Sequence, residues 1–243
     1  MTLRRAAPRS GSRAPAAVPL TRQAEDYLKA IYEIERSGSS AATNEIAERL
    51  GIAPASVSGM LRRMERLRLV VVEKYRGSRL TSHGRLVALQ LLRRHRIIES
   101  YLVTRLDFGW DDVHAEAERL EHAASDELVE RMATALGNPT RDPHGAPIPT
   151  TRGRVDERRL ESIADLAPGT SARVVHMSDR DPAFLRYLAD RGIRPGASVK
   201  VGAREPFDGP VTVTVGRQRH LVGAAVASRV FVERRTRVQR PES

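Results

Sequence analysis

Two histidines and two glutamates recur at helical spacing in one stretch of this chain. His114, Glu118, Glu121 and His122 stand at offsets of 0, 4, 7 and 8, positions that share one face of an α-helix. Upstream, His95 and Glu99 are four apart and repeat the pattern on a second predicted helix. Imidazole nitrogens and carboxylate oxygens gathered on two adjacent helices suit a divalent first-row metal ion. The competing reading is a pair of solvated charged faces, the commoner fate of any single such pair. Six donors in two neighbouring helices favour the metal.

The chain contains no Cys, which excludes thiolate ligands and disulfides. Any metal must be held by nitrogen and oxygen. The segment from His114 to Glu118 lacks the second His and the adjacent Glu of a zinc-protease motif. No nucleophile, base or phosphate loop accompanies the cluster, so no enzyme is expected. The 243 residues are 40% apolar, enough for real cores. The net charge is +11, which favours a polyanionic partner. No apolar run approaches the roughly 20 residues of a membrane helix, and no secretory pattern is present. A cytoplasmic protein without membrane attachment is expected, with residues 1–20 as a disordered basic tail.

The elements that must position these residues follow in order. A helix of about fifteen residues starts at Thr21, with Ala24, Leu28, Ile31, Tyr32 and Ile34 on its apolar face and Asp26 off that stripe. Thr43 is expected to cap a short helix, TNEIAERLGI. PASVSGMLRRMERLRLV then forms a second helix after Gly51. Helix, short turn and helix is the helix-turn-helix pattern. Ser56 and Ser58 near the start of the second helix are small enough to approach a base edge or a phosphate. Residues 70–73 and 79–81 read as two strands of a wing around Gly77 and Ser78. Residues 62–96 hold eleven Lys/Arg, among them Arg62, Arg63, Lys74, Arg76 and Arg79, against two acids. Such a concentration suits neutralisation of a phosphate backbone.

Residues 84–105 and 112–136 are each expected to be one long amphipathic helix. Together they read as a dimerisation element carrying the His/Glu stripes. Turn chemistry fills 137–151, and His144 there reads as a loop residue. From 160 to 234 the pattern changes to short alternating strands, TSARVVHM, ASVKVGAR, VTVTVG and RVFVER, with a short helix at 181–191. This predicts an SH3-like β-barrel. The expected fold is mainly α with a small β domain. A winged helix-turn-helix spans 21–84, a helical metal-binding and dimerisation domain 85–151, and the SH3-like domain 160–234.

Five segments, in this order, carry a resemblance: EDYLKAIYEI, ASVSGMLRRMERLRLVVVEKYRGSRLTSHG, RRHRIIESYL, VHAEAERLEHAASDELVERM and DPHGAPIP. The chain resembles the diphtheria toxin repressor and manganese transport regulator family of metal-dependent transcription factors. Its C-terminal part is similar to that family's third domain, related to ferrous-transport accessory domains. The resemblance implies a homodimer that binds a double-stranded DNA operator and represses metal-uptake genes when metal is plentiful.

It also implies two metal sites. An ancillary site would use His95, Glu99 and His114, with Asp181 placed where the third domain donates a carboxylate. A primary site would use Asp26, Glu118, Glu121 and His122. Iron-type members carry Met and Cys where this chain has Asp26 and Glu118. Two oxygens in place of two sulfurs move the preference towards Mn²⁺, with Fe²⁺ as the alternative. The two-metal manganese members carry Glu where this chain has Lys29, so two separated sites are expected here. A family Gln falls at Gly59, leaving Ala55, Ser56 and Ser58 for base contacts and much reliance on phosphates and DNA shape. Of the family's anion-binding residues, Arg96 is matched, while Asp142 and Ala146 are not evident equivalents. The rival reading is a winged-helix regulator indifferent to metal.

Overall fold

The Thr21 hydroxyl accepts the Ala24 amide and starts helix α1 (Arg22–Ser37). Gly38, in the left-handed conformation at φ 86°, ends it. The computed structural model describes residues 20–73, 76–178 and 181–234. The tail expected at 1–20 falls almost wholly outside the described residues, as does Lys74. Helix α1 is followed by α2 (Thr43–Leu50) and α3 (Pro54–Arg66), then by strands β1 (Val70–Glu73) and β2 (Gly77–Leu80). Their apolar faces meet in one core of Leu28, Ile31, Ile34, Ile46, Val57 and Met64.

Two details differ from expectation. Thr43 is the first residue of α2 rather than its cap, since Ala42 holds the capping position without a side-chain bond. The second wing strand starts at Gly77, which pairs with Glu73. Gly77 has φ 83°, and an added Cβ would sit 2.8 Å from the Ala41 carbonyl oxygen. The wing is thus pressed against the α1–α2 connection, where only glycine fits.

Helix α4 (Ser82–Leu106) is capped by Thr81, whose hydroxyl accepts the Gly84 amide. It packs against α1, α5 and α6, so it is buried on several sides and shows weak amphipathicity. A Cβ at Gly84 would overlap the Leu69 carbonyl oxygen. Gly84→Ala is therefore expected to cost about 1–3 kcal/mol through forced displacement of α4 from the wing. At Gly59 nothing lies within 4 Å of an added Cβ, and Gly59→Ala is expected to stabilise the protein by roughly 0.5–1 kcal/mol. Urea unfolding of the two variants checks this, and equal midpoints would refute the close approach.

The single helix expected over 112–136 is two: α5 (Val113–Leu120) and α6 (Asp126–Ala135). The break has a local cause. The Ser125 hydroxyl accepts the Leu128 amide, and Asp126 and Glu127 occupy the first turn of α6, where carboxylates favour a helix start. Glu121 and His122 consequently lie beyond the end of α5. These helices share a core with α4 built on Ile97, Ile98, Leu102, Val113, Ala117 and Val129.

The C-terminal unit is one antiparallel sheet in the order β3-β8-β4-β5-β6-β7. Its strands are β3 (Glu161–Ser162), β4 (Ser171–Met177), β5 (Ser198–Arg204), β6 (Val211–Val215), β7 (Gln218–Val222) and β8 (Val230–Arg234). Helices α7 (Pro182–Ala189) and α8 (Ala224–Ala227) complete it. Strands β3 and β7 were not expected from the pattern. In β7 only Val222 is buried, so alternation is nearly absent. The unit docks through Trp110, which packs against its core, and through the Met177 amide, which donates to the His144 carbonyl at 3.1 Å.

Candidate metal centre

Helix α4 places His95 and Glu99 one turn apart, 5% and 0% exposed respectively. Helix α5 brings His114 against them. His95 Nε2 lies 2.9 Å from Glu99 Oε1 and 3.1 Å from His114 Nδ1, which is itself 3.0 Å from the same Glu99 oxygen. The other oxygen, Glu99 Oε2, is buried with no hydrogen-bond partner among the described residues. An unsatisfied carboxylate oxygen in the interior is costly, and a cation bound by these three side chains would satisfy it.

A second cluster forms where α1 meets the α5–α6 turn. His122 Nε2 is 3.4 Å from Asp26 Oδ1 and 3.3 Å from Glu121 Oε1. In each cluster the donor atoms lie within 4.8 Å of one another. The two are joined by one bond, His95 Nδ1 to Glu121 Oε2 at 2.7 Å. A cavity of about 380 Å³ opens between them, lined by Asp26, His95, His114, Glu118 and His122 among others.

The charges are strongly interdependent. Burial pushes the His95 imidazole down, but Glu99 and Glu121 outweigh it and raise its pKa to about 10. Burial pushes Glu99 up, yet His95 and His114 hold it well below the usual carboxylate range. Glu121 is likewise pushed up by burial and drawn down to about 2 by His95 and Lys29. Burial lifts the Asp26 carboxyl above its ordinary value, against the pull of Lys29 and His122 and with the help of Glu121. His95 therefore holds its proton between carboxylates, and a metal ion must compete with that proton for the nitrogen.

Of the eight expected ligands, six lie together in two clusters: His95, Glu99 and His114, and Asp26, Glu121 and His122. Glu118 is not drawn into the Asp26 cluster. Its carboxylate is half exposed at the cavity wall, 3.6 Å from His114 Nε2. A third carboxylate beside Asp26 and Glu121 would add like charge, whereas His114 offers a favourable partner. Asp181 is in neither cluster, because its side chain caps α7 by accepting the Ala183 and Phe184 amides. His144 lies in a turn, as expected, and is fully buried, with Nε2 2.6 Å from the Trp110 carbonyl.

Glu25 was missed. Its carboxylate lies 2.6 Å from His122 Nδ1 and so turns Nε2 towards Asp26 and Glu121. Adjacent helical residues diverge by about 100°, so spacing gave no sign that Glu25 and Asp26 serve one histidine. Glu25→Gln is expected to weaken metal binding at this cluster about 10–100-fold, as loss of such orienting carboxylates does, with the His95 cluster unaffected. Calorimetric Mn²⁺ titration checks it, and unchanged affinity at both clusters would remove the orienting role.

Ala55, Ser56, Ser58, Arg62 and Arg63 are exposed on α3, and Arg76 and Arg79 on the wing. Arg79 pairs with Glu73, while Arg62 and Arg63 have no carboxylate partner among the described residues.

Comparison with known proteins decides what this architecture is. Residues 19–78 match the description "Iron dependent repressor, N-terminal DNA binding domain" and 81–150 match "Iron dependent repressor, metal binding and dimerisation domain". Residues 162–234 match "FeoA domain". The iron-dependent repressor IdeR of Mycobacterium tuberculosis (strain ATCC 25618 / H37Rv) is 34% identical over 223 residues, covering 86% of this chain and 96% of that protein. The chain belongs to the diphtheria toxin repressor family of metal-dependent transcriptional repressors.

Within this family, the diphtheria toxin repressor of Corynebacterium diphtheriae is 34% identical over 206 residues, 78% of this chain and 87% of that protein. A solved structure described as a manganese-dependent transcriptional repressor in complex with manganese superposes with a TM-score of 0.81 at 37% identity, covering 86% of this chain and 98% of that one. As in that family, a DNA-binding unit, a metal-binding and dimerisation unit and an SH3-like unit follow one another. Among the described residues no helix is long and apolar enough to cross a membrane.

Proposed function

We propose that this family member is a Mn²⁺-activated dimeric repressor of metal-uptake genes. The observation that carries the reading is the donor set of the Asp26 cluster, which is oxygen and nitrogen only in a chain without Cys. Hard carboxylates and imidazole suit Mn²⁺, whereas thioether and thiolate favour softer ions. Fe²⁺ is the second reading, supported by the iron-dependent repressors among the relatives and by the shared affinity of imidazole and carboxylate for both ions.

Asp26, Glu121 and His122 would hold a divalent cation, whose positive charge would offset the repulsion between the two carboxylates. Asp26 stands on α1 beneath the winged helix, and Glu121 and His122 stand on the turn between α5 and α6. Shared ligation by all three would tie the DNA-reading unit to the unit expected to form the dimer. Two recognition helices held at a fixed separation can then enter successive major grooves of a two-fold operator. Linkage requires that operator DNA tighten metal binding by the same factor.

The test is binding to the promoter region of a neighbouring metal-transporter gene at fixed salt, with chelator, with Mn²⁺ and with anaerobic Fe²⁺. Tight binding with Mn²⁺ alone supports the proposal. Equal activation by both ions removes the selectivity, and binding indifferent to chelator overturns metal control of this chain.

A further inference from the structure

Lys29 stands one turn after Asp26 on α1 and is only 12% exposed at its side chain. Its ammonium is ion-paired with Glu121 Oε1, and among the described residues no other Lys or Arg pairs with a carboxylate of either donor cluster. The choice of oxygen matters. Glu121 Oε2 is committed to His95, so Oε1 is the oxygen that faces His122 Nε2 at 3.3 Å. The atom best placed to join Asp26 and His122 on a cation is the atom that Lys29 already holds. The Glu121 side chain is 1% exposed, which limits solvent screening of this competition.

We propose that Lys29 is a tethered counter-cation of the Asp26–Glu121–His122 cluster, and that its displacement sets the metal concentration at which the cluster fills. The proposal rests on the reading of that cluster as a metal site. An ammonium and a divalent ion cannot share one carboxylate oxygen in a half-buried site without strong repulsion. Lys29 must therefore leave Glu121 as the metal arrives. It has somewhere to go: Lys29 and Glu118 line the same 380 Å³ cavity, and the half-exposed Glu118 carboxylate can receive the ammonium. Until then Lys29 neutralises a carboxylate that would otherwise repel Asp26, so the fold does not depend on metal for its integrity. A resident competitor weakens the site, which places its response in the range of a fluctuating metal pool rather than at permanent saturation.

The experiment is Mn²⁺ titration of the full chain by calorimetry, with free Mn²⁺ followed in parallel by electron paramagnetic resonance. Lys29→Met and Lys29→Gln remove the charge, and Lys29→Arg keeps it. Both neutral variants are expected to bind Mn²⁺ at this cluster about tenfold or more tighter than the unaltered protein. Their melting temperature is expected to fall in chelator and to rise further on Mn²⁺ addition. Lys29→Arg should stay within a few-fold of the unaltered protein. Combining Lys29→Met with Asp26→Ala should abolish the gain, which assigns it to this cluster. Unchanged or weaker binding in folded Lys29→Met and Lys29→Gln overturns the proposal while leaving the metal reading intact. If Asp26→Ala alone leaves Mn²⁺ binding of the unaltered protein unchanged, the metal reading of the cluster fails and the role of Lys29 falls with it.

Discussion

Asp26→Ala is expected to leave a folded protein that no longer gains DNA affinity from metal. Burial and the nearby Glu121 raise the Asp26 carboxyl above its ordinary value, with Lys29 and His122 only partly opposing. The folded state thus disfavours this charge, and its removal should change the melting temperature little. The functional loss is large because Asp26 is the only member of its cluster that comes from the DNA-binding unit. With Ala there, a cation held by Glu121 and His122 has no ligand on α1. Metal affinity at this cluster should fall by about a hundredfold or more, beyond what loss of a merely orienting partner costs. Fluorescence anisotropy of operator DNA with and without Mn²⁺ measures the outcome. Metal-stimulated binding that persists in Asp26→Ala would remove α1 from the switch.

Glu121→Ala is expected to be the most destabilising change at the centre. The Glu121 carboxylate joins both clusters: Oε1 holds Lys29 and faces His122, while Oε2 holds His95. Its truncation leaves the half-buried Lys29 ammonium and the buried His95 each short of a carboxylate. Removal of one partner from a buried ion network typically costs about 3–5 kcal/mol, which lowers the melting temperature by on the order of 10 °C. Glu118→Ala is the matched control. Its side chain is half exposed, and its loss is expected to change stability by about 0.5 kcal/mol or less. Thermal unfolding of both variants in chelator decides the point, since similar transitions would mean that the Glu121 network carries no stability.

The contrast between Glu121 and Glu118 shows where sequence patterning stops. Both stood on one predicted stripe, three residues apart. The Ser125 cap and the acids after it end α5 early, so Glu121 turns inward while Glu118 stays on the helix surface. That signal was legible, because Ser followed by Asp and Glu is a helix start. It was masked by apolar periodicity that runs through the break. Glu25 was not legible at all, since its role depends on an imidazole from a residue 97 positions later. Lys29 was visible as an unusual residue, but nothing in its spacing showed that it holds Glu121. Asp181 read as a ligand from its placement in the third unit, yet its own next two amides claim it as a cap. Local hydrogen bonds of that kind form at little entropic cost.

By itself the sequence determined the order and class of the units: a winged helix-turn-helix, a helical unit with His/Glu pairs, and a small β unit. Periodicity, turn residues and charge density are local properties, and they are written along the chain. The sequence also determined that no thiolate can hold the metal, because the chain has no Cys. Only the tertiary structure decided which donors converge. It joined the two donor sets that the resemblance implied through His95 and Glu121, set Glu25 behind His122, placed Lys29 on the oxygen a metal would need, and left Glu118 and Asp181 outside. Those assignments depend on how α1, α4 and the α5–α6 turn pack together, and contacts between residues far apart in sequence have no counterpart in local spacing.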